Sequence, residues 1–562
     1  MSGLRSHRWS FLVVLALVAS VIAAMPALAS GSPDLFTTGP AGGVTPGTVR
    51  TRHAALTVPL ETAAGPLRVT LDLFDDTAVS VTLERQPGSG PIVWTAAVPG
   101  RPGTSVHFVV DRGIAVGHII LGAGETYTVS GPVDGQVLIA QLDAANAEEA
   151  EPRVPPGEPG PPPNESRAAG GTVVDVMLLL TDDTITDSPY FHEEEGNIAT
   201  PALAGQALRD KVHAWGELRI ASWNSALRDS GVDLRVRLVY AGFVDYSETG
   251  DSSDDLDNLT FIAGQDCDAG MPGLQECDPE GHLDQVRGLR DQFGADLVFL
   301  NVWEANVGGV AWLNCSPGDP PHPSVGACEA RWGYSVVSFV SASLGVVINH
   351  EGGHLLGNRH DAANGGFTYA RGYQVIDDFA TIMAYPASVG TEWLNLYSNP
   401  GILHGGTPIG VAVGDAGEAD AATHMDLSGP LVEAFRDKAT CGGLPVTIFG
   451  SNEADQITGT SGADVIAGFD GDDVIAAFKG PDTICGGDGK DNIKGNKGAD
   501  TIHAGDKSDR LYGGKGDDEL FGDGGTRDRL FGGPDSDLLN GGSGSDDRCQ
   551  GGEANLSCEV LL

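Results

Sequence analysis

The chain has 562 residues, 41% of them hydrophobic, and 77 acidic against 33 basic side chains give a formal charge of −44. That length exceeds one domain. The charge argues against nucleic acid and anionic membrane surfaces as partners and favours divalent cations.

The start reads as an export signal. Arg5, His7 and Arg8 form a basic n-region, Phe11 to Ala24 is apolar, and Ala27-Leu28-Ala29 is an A-x-A cleavage site. Residues 1–29 are therefore expected to be removed, leaving Ser30 first. The apolar run from Ser335 to Ile348 has 14 residues, too short for a comfortable membrane helix, and reads as a buried helix. No membrane span is expected. Eight cysteines in an exported chain suggest disulfides. Sequence distance suggests Cys267–Cys277, Cys315–Cys328 and Cys549–Cys558, leaving Cys441 with Cys485, one choice among about 105 connectivities.

Residues 30–147 are β-like. Leu67–Leu73, Val79–Leu83 and Ser105–Val109 alternate apolar and polar side chains between Gly and Pro clusters. They carry no catalytic constellation. Their place between a signal and the α/β region that follows suggests a β-rich pro-domain, with an accessory β-sandwich as the other reading. Residues 148–171 form a Pro-rich linker, extended and open to proteolytic maturation. No cysteine precedes Cys267, so a thiolate latch on a metal is not available to a prosegment.

Residues 172–440 read as α/β. Strands are expected at Val173–Leu180, Val232–Val239 and Ala295–Leu300, with an edge strand at Gly309–Leu313. Helices are expected over Ala202–Ser230 and Leu283–Phe293. The sharpest signal follows. His350 to His360 reads H-E-x-x-H-x-x-G-x-x-H. On a helix His350 and His354 share one face and can hold one metal ion. Glu351 then sits where a general base for metal-activated water is needed. Gly357 permits the turn that returns His360 as a third nitrogen ligand. Three ligands leave a fourth position for water, the mark of a catalytic zinc site.

This stretch resembles the zinc signature of the metzincin peptidases. The resemblance implies an α/β metzincin catalytic domain acting on protein or peptide substrates, with Zn²⁺ on His350, His354 and His360 and Glu351 as base. It also implies a methionine turn, which Thr381–Tyr385 supplies, placing Met383 beneath the imidazoles. Tyr385 matches the tyrosine that astacins and serralysins use as an extra ligand or oxyanion stabiliser. The other reading of Tyr385 is a packed aromatic. Asp361 directly after the third histidine, and Tyr397-Ser398-Asn399-Pro400, resemble the adamalysin (reprolysin) branch.

The tail is periodic. Asp455, Asp464, Asp473, Asp482, Asp491, Asp500, Asp509 and Asp518 recur every nine residues; after one extra residue come Asp528, Asp537 and Asp546. An Ile or Leu follows two residues after each of the first ten, until Arg548 breaks the pattern as a cap would. Residues 450–550 resemble RTX repeats, which implies a C-terminal parallel β-roll, with 551–562 as its cap. Asp464, Asp473, Asp482, Asp491, Asp500, Asp509, Asp518, Asp528 and Asp537 are the expected ligands for Ca²⁺, and the tail is expected to be disordered without it. The expectation is a multidomain, secreted, extracellular zinc endopeptidase, with attachment to a cell surface or matrix open to the repeats. Its rival is a calcium-dependent adhesion or matrix protein carrying a vestigial peptidase domain.

Overall fold

The computed structural model describes residues 33–37, 48–63, 65–86, 91–99, 104–121, 125–133, 135–142, 152–153, 171–187, 205–261, 283–303, 305–316, 325, 328–339, 346–362, 368–385, 391–551, 554–558 and 560–561. The signal segment, most of the linker and the Cys267–Cys277 pair lie outside the described residues. Cys315–Cys328, Cys441–Cys485 and Cys549–Cys558 are bonded.

The first unit is one eight-stranded antiparallel sheet: β1 (Thr48–Ala55), β2 (Leu67–Phe74), β3 (Thr77–Arg85), β4 (Ile92–Ala96), β5 (Ser105–Asp111), β6 (Ile114–Ile120), β7 (Thr126–Pro132) and β8 (Gln136–Leu142), in the order β1-β8-β7-β6-β5-β4-β3-β2. Residues 34–36 bridge Thr70 of β2 on one side and Leu56 on the other, so they span the gap between the sheet's two ends. A single sheet, rather than the two of a sandwich, encloses the core around Leu71, Trp94, Phe108 and Tyr127. Alternation on β5 explains why nearly the whole strand is buried. Val106, Phe108 and Val110 enter that core, while Val109 faces outward and packs with Val116 against Ala214, Leu218 and Ala221 of a helix in the second unit.

That second unit is built on five strands: β9 (Thr172–Thr181), β10 (Leu234–Val244), β11 (Leu297–Val302), β12 (Gly309–Ala311) and β13 (Tyr334–Ser338), in the order β10-β9-β11-β13-β12. All neighbours are parallel except β12, the antiparallel edge. Helices are α1 (Asp182–Asp187), α2 (Gly205–Asp229), α3 (Ser252–Thr260), α4 (Gln285–Phe293), α5 (Val347–Leu355) and α6 (Ala421–Val432). Helix α2 is covered on both sides, by the sheet and by the first unit, so Trp215 and Trp223 are fully buried.

One expectation is corrected here. Residues 335–348 are not a single buried helix. Residues 334–338 form strand β13 between β11 and β12, and helix α5 begins at Val347. A strand covered on both faces has the same unbroken apolar pattern as a buried helix. The β-branched Val336 and Val337, hydrogen-bonded on both sides, tip the segment to strand.

The third unit is a roll of two seven-stranded parallel sheets. Through the first coils each strand pairs with the one 18 residues on, as Ile466 with Ile484 and Ile475 with Ile493, so two nine-residue repeats make one coil; from Arg510 the offset becomes 19, as Leu511 with Leu530. Ile457 through Leu539 stack as its thin core. The last coil corrects the sequence reading. Cys549 enters that core and Asp547 is buried, whereas Arg548 points outward. The period gains a second extra residue, so Asp547 and Cys549, not Asp546 and Arg548, occupy the repeat positions. The roll begins against the second unit. The Phe293 and Phe469 rings lie 4.5 Å apart, Gln292 and Asn452 exchange amide hydrogen bonds, and Cys441–Cys485 ties the junction.

Candidate active site

Helix α5 carries His350, Glu351 and His354 on consecutive buried turns. Its approach to the rest of the unit depends on two glycines. A Cβ on Gly352 would overlap the Trp223 ring, and one on Gly353 would overlap Met383 Sδ. Met383 thus lies directly against the helix that bears two of the histidines, fully buried. After Leu355 the chain turns at Gly357, with φ +93°, against the Cys315 carbonyl. Only glycine suits both that φ and that contact.

The turn brings the three imidazoles together. The Nε2 atoms of His350, His354 and His360 form a triangle with every side 3.1 Å. That spacing admits an ion about 2.0–2.1 Å from each, the usual Zn–N distance. Nδ1 of His350 is 2.7 Å from the Ile382 carbonyl, and Nδ1 of His354 is 2.7 Å from the Asn358 carbonyl. A carbonyl only accepts, so each Nδ1 carries the proton and each Nε2 presents a lone pair. Burial holds the His350 and His354 pKa values well below the ordinary range, which keeps both rings neutral, as ligands must be. No other cluster of His, Cys, Asp and Glu among the described residues has this spacing.

Glu351 is fully buried, and neither carboxyl oxygen has a hydrogen-bond partner among the described residues. Burial pushes its pKa well above the usual carboxylate range. The wall facing it is Gly309 at the start of edge strand β12, where an added Cβ would lie 2.6 Å from Oε1. Nothing in the sequence around Gly309 signals this role.

Tyr385 is brought into the same cluster. Its hydroxyl is 3.0 Å from His360 Nε2, and its ring stacks 5.9 Å from that of His350. Asp361 accepts a hydrogen bond from the Tyr385 backbone N–H at 3.1 Å, so the aspartate after the third histidine fixes the methionine turn. Tyr397 lies behind α5, donating to the Asn349 carbonyl at 2.6 Å.

The overlap at Gly352 makes a stability prediction. Gly352→Ala gains up to about 1 kcal/mol of helix preference, but pushing a methyl into the buried Trp223 ring costs about 1–3 kcal/mol or more. A net loss of about 1–2 kcal/mol is expected, read as a lower thermal midpoint.

The repeat aspartates form a second set. Oδ1 of Asp473, Asp482, Asp491, Asp500, Asp509, Asp518, Asp528, Asp537 and Asp547 each accepts the backbone N–H of the aspartate one coil earlier, at 2.7–3.1 Å. Oδ2 of the seven from Asp473 to Asp528 is buried without a hydrogen-bond partner among the described residues. Beside them, a Cβ on Gly468, Gly486, Gly495 or Gly513 would overlap the Oδ2 of the next repeat aspartate. A row of orphaned carboxylate oxygens in a glycine-lined groove fits a hard cation such as Ca²⁺. Asp464 differs, since its oxygens accept from Thr460 N–H at 2.6 Å and Thr460 Oγ1 at 2.9 and 3.0 Å. Asp547, absent from the sequence-based set, joins it; its signal was Cys549 two residues on.

Comparison with known proteins places these features. Residues 274–411 match the reprolysin-like metallopeptidases of family M12B, and segments from 449 to 547 match the RTX calcium-binding nonapeptide repeat. The peptidyl-Asp metalloendopeptidase of Xanthomonas campestris pv. campestris is 25% identical over 368 residues, covering 62% of this chain and 77% of that protein. Two further proteins of that name match less of their own length: 29% identity covering 36% of this chain and 34% of the Pseudomonas aeruginosa protein, and 25% covering 39% and 49% for one from Stenotrophomonas maltophilia. The solved structure of metalloproteinase-II from Bacteroides fragilis aligns with 53% of this chain at 12% identity and a TM-score of 0.30, too low to carry an argument. Taken with the histidine triangle built by α5 and the turn after it, these matches show a reprolysin-like metallopeptidase domain joined to RTX calcium-binding repeats, and the relatives' shared name supports a metzincin-type metalloendopeptidase.

Proposed function

We propose that the chain is a secreted zinc endopeptidase made as a precursor, with residues 1–29 a signal peptide, 30–147 a pro-domain, 148–171 a cleavable linker, 172–440 the catalytic domain and 450–550 a calcium-stabilised roll capped by 551–562. The observation that carries the zinc assignment is the 3.1 Å triangle of Nε2 atoms with two tautomers fixed by carbonyls. Bound zinc would acidify a water and polarise the scissile carbonyl. Glu351, unpartnered and beside the triangle, takes the water proton and hands it to the leaving amine. The Tyr385 hydroxyl, 3.0 Å from His360 Nε2, is placed to donate to the developing oxyanion. The open edge of β12 aligns the substrate by backbone pairing. Disulfides and RTX repeats, both typical of extracellular proteins, support secretion. The name shared by the relatives makes bonds beside aspartate the first substrates to test.

The test is metal exchange. Chelator-treated protein should lose casein and peptide hydrolysis and regain it with one equivalent of zinc per chain. Full hydrolysis by protein that elemental analysis finds free of transition metal sinks the zinc assignment, and no hydrolysis by the zinc-loaded chain leaves the adhesion reading.

A further inference from the structure

Gly309 at one end of β12 faces Glu351; the other end of the strand is covered by the chain itself. Arg153, in the linker, lies along its open side. The Arg153 N–H donates to the Ala311 carbonyl at 2.8 Å, and the Leu313 N–H donates to the Arg153 carbonyl at 2.7 Å, a parallel bridge opposite Trp312. β13 takes the inner side of β12. The Ala311 carbonyl and Leu313 N–H therefore belong to the outward row, the groups that an extended peptide laid along β12 uses.

The Arg153 side chain is equally well received. Its guanidinium lies 4.9 Å over the Trp312 ring, meets Asp257 Oδ1 at 2.6 Å and donates to the Ser253 carbonyl at 3.0 Å. Helix α3, which supplies Asp257, also carries Asp254 and Asp255 and is capped by Asp251, with no lysine or arginine of its own. The Trp312 ring is held independently of Arg153. Its indole N–H donates to Thr260 Oγ1 at 2.8 Å, and Trp332 packs against it at 4.7 Å. An aromatic face just past β12, with a carboxylate and a carbonyl both on α3, makes a receptor for a planar cation.

We propose that Asp257, Trp312 and the Ser253 carbonyl form a subsite for an arginine side chain of an extended peptide substrate, and that Arg153 fills it from within the chain until the linker is cut. The proposal rests on the reading of residues 350–360 as the catalytic centre. Trp312 is three residues along the strand from Gly309, about 10 Å at roughly 3.3 Å per residue. The subsite therefore selects a side chain about three residues from the bond over Glu351. While Arg153 is bridged to Ala311 and Leu313, an incoming strand must displace it.

Binding and turnover test this separately. In full-length Glu351→Ala, fluorescence anisotropy reports binding of a labelled octapeptide with one arginine and of its glutamine counterpart. Adding Arg153→Ala should tighten the arginine peptide about tenfold and the glutamine peptide far less. Adding Asp257→Asn or Trp312→Leu should remove that difference. In the Arg153→Ala chain with Glu351 intact, the ratio of kcat/KM for the two peptides should be about ten and fall to about one with Asp257→Asn. Equal binding of the two peptides, or no gain from Arg153→Ala, overturns the subsite. Arginine-selective binding without any hydrolysis by the Glu351-intact chain rejects the peptidase reading and leaves the subsite standing.

Discussion

Glu351→Ala should lower kcat/KM on any peptide substrate by about 10³–10⁴-fold while the protein keeps one equivalent of zinc. The magnitude follows from what a positioned general base contributes, about 10²–10⁴-fold; the upper half applies because no other carboxylate is found in the cluster among the described residues. Zinc should stay because the three nitrogens, and the carbonyls that orient two of them, do not touch the Glu351 carboxyl. The same change should leave the thermal midpoint unchanged or raise it. Both Glu351 oxygens are buried without hydrogen-bond partners among the described residues, and removing an unsatisfied polar group relieves a cost rather than creating one. A packing role for the side chain predicts the opposite, since truncating a buried side chain leaves a cavity that destabilises by about 2–5 kcal/mol. Kinetics, elemental analysis and a melting curve on one variant separate the two. Near-normal turnover rejects Glu351 as the base.

The parts of the molecule that the sequence revealed are those where chemistry forces spacing. The histidines at 350, 354 and 360 were legible because a helix of 3.6 residues per turn and one glycine turn suffice to bring them together. The roll was legible because each coil repeats the same two nonapeptides, so Asp and Ile recur in register. Its last coil was misread where two aspartates, Asp546 and Asp547, stand side by side and a cysteine replaces the aliphatic residue. Local rules failed there because burial of Cys549 selects between two adjacent acids. Strand β13 failed for a related reason: period says nothing when both faces are covered. Least legible were contacts between distant segments. Arg112 reaches Asp210 on α2 at 3.6 Å and Asp455 at the head of the roll at 3.5 Å, joining all three units. Its neighbour Asp111 takes His213 of α2 at 2.8 Å, and Glu217 one turn further on is pushed up to about 7 by burial. No pattern within any one of these segments announces the junction.

Calcium removal should unfold the roll at neutral pH and leave it partly folded in acid. Without the cation, the groove holds seven Oδ2 atoms with no hydrogen-bond partner among the described residues. Burial, with neighbouring aspartates adding, pushes Asp473 up to about 8, Asp509 and Asp518 to about 7, and Asp482, Asp491 and Asp528 to about 6. An unfolded aspartate titrates near ~3.9. Between roughly pH 4 and 8 the folded, calcium-free roll therefore holds protons that the unfolded chain has released. Protonation stabilises it fully below that window, and the stabilisation is lost as pH rises through the folded pKa values. The core cannot make up the difference, because each nonapeptide contributes one buried Ile or Leu, about 1.5–3 kcal/mol, against nine residues to be ordered. Calcium reverses the sign, since it binds the ionised carboxylates and competes with protons. Far-UV circular dichroism of the full chain in EGTA should show loss of β signal at pH 8, recovery with millimolar calcium, and a calcium midpoint that rises as pH falls toward 5. Limited proteolysis should cut within 450–550 only in the calcium-free sample at pH 8. An unchanged spectrum in EGTA at pH 8 would show that turns and core alone fold the roll, and the orphaned carboxylates would then need another partner.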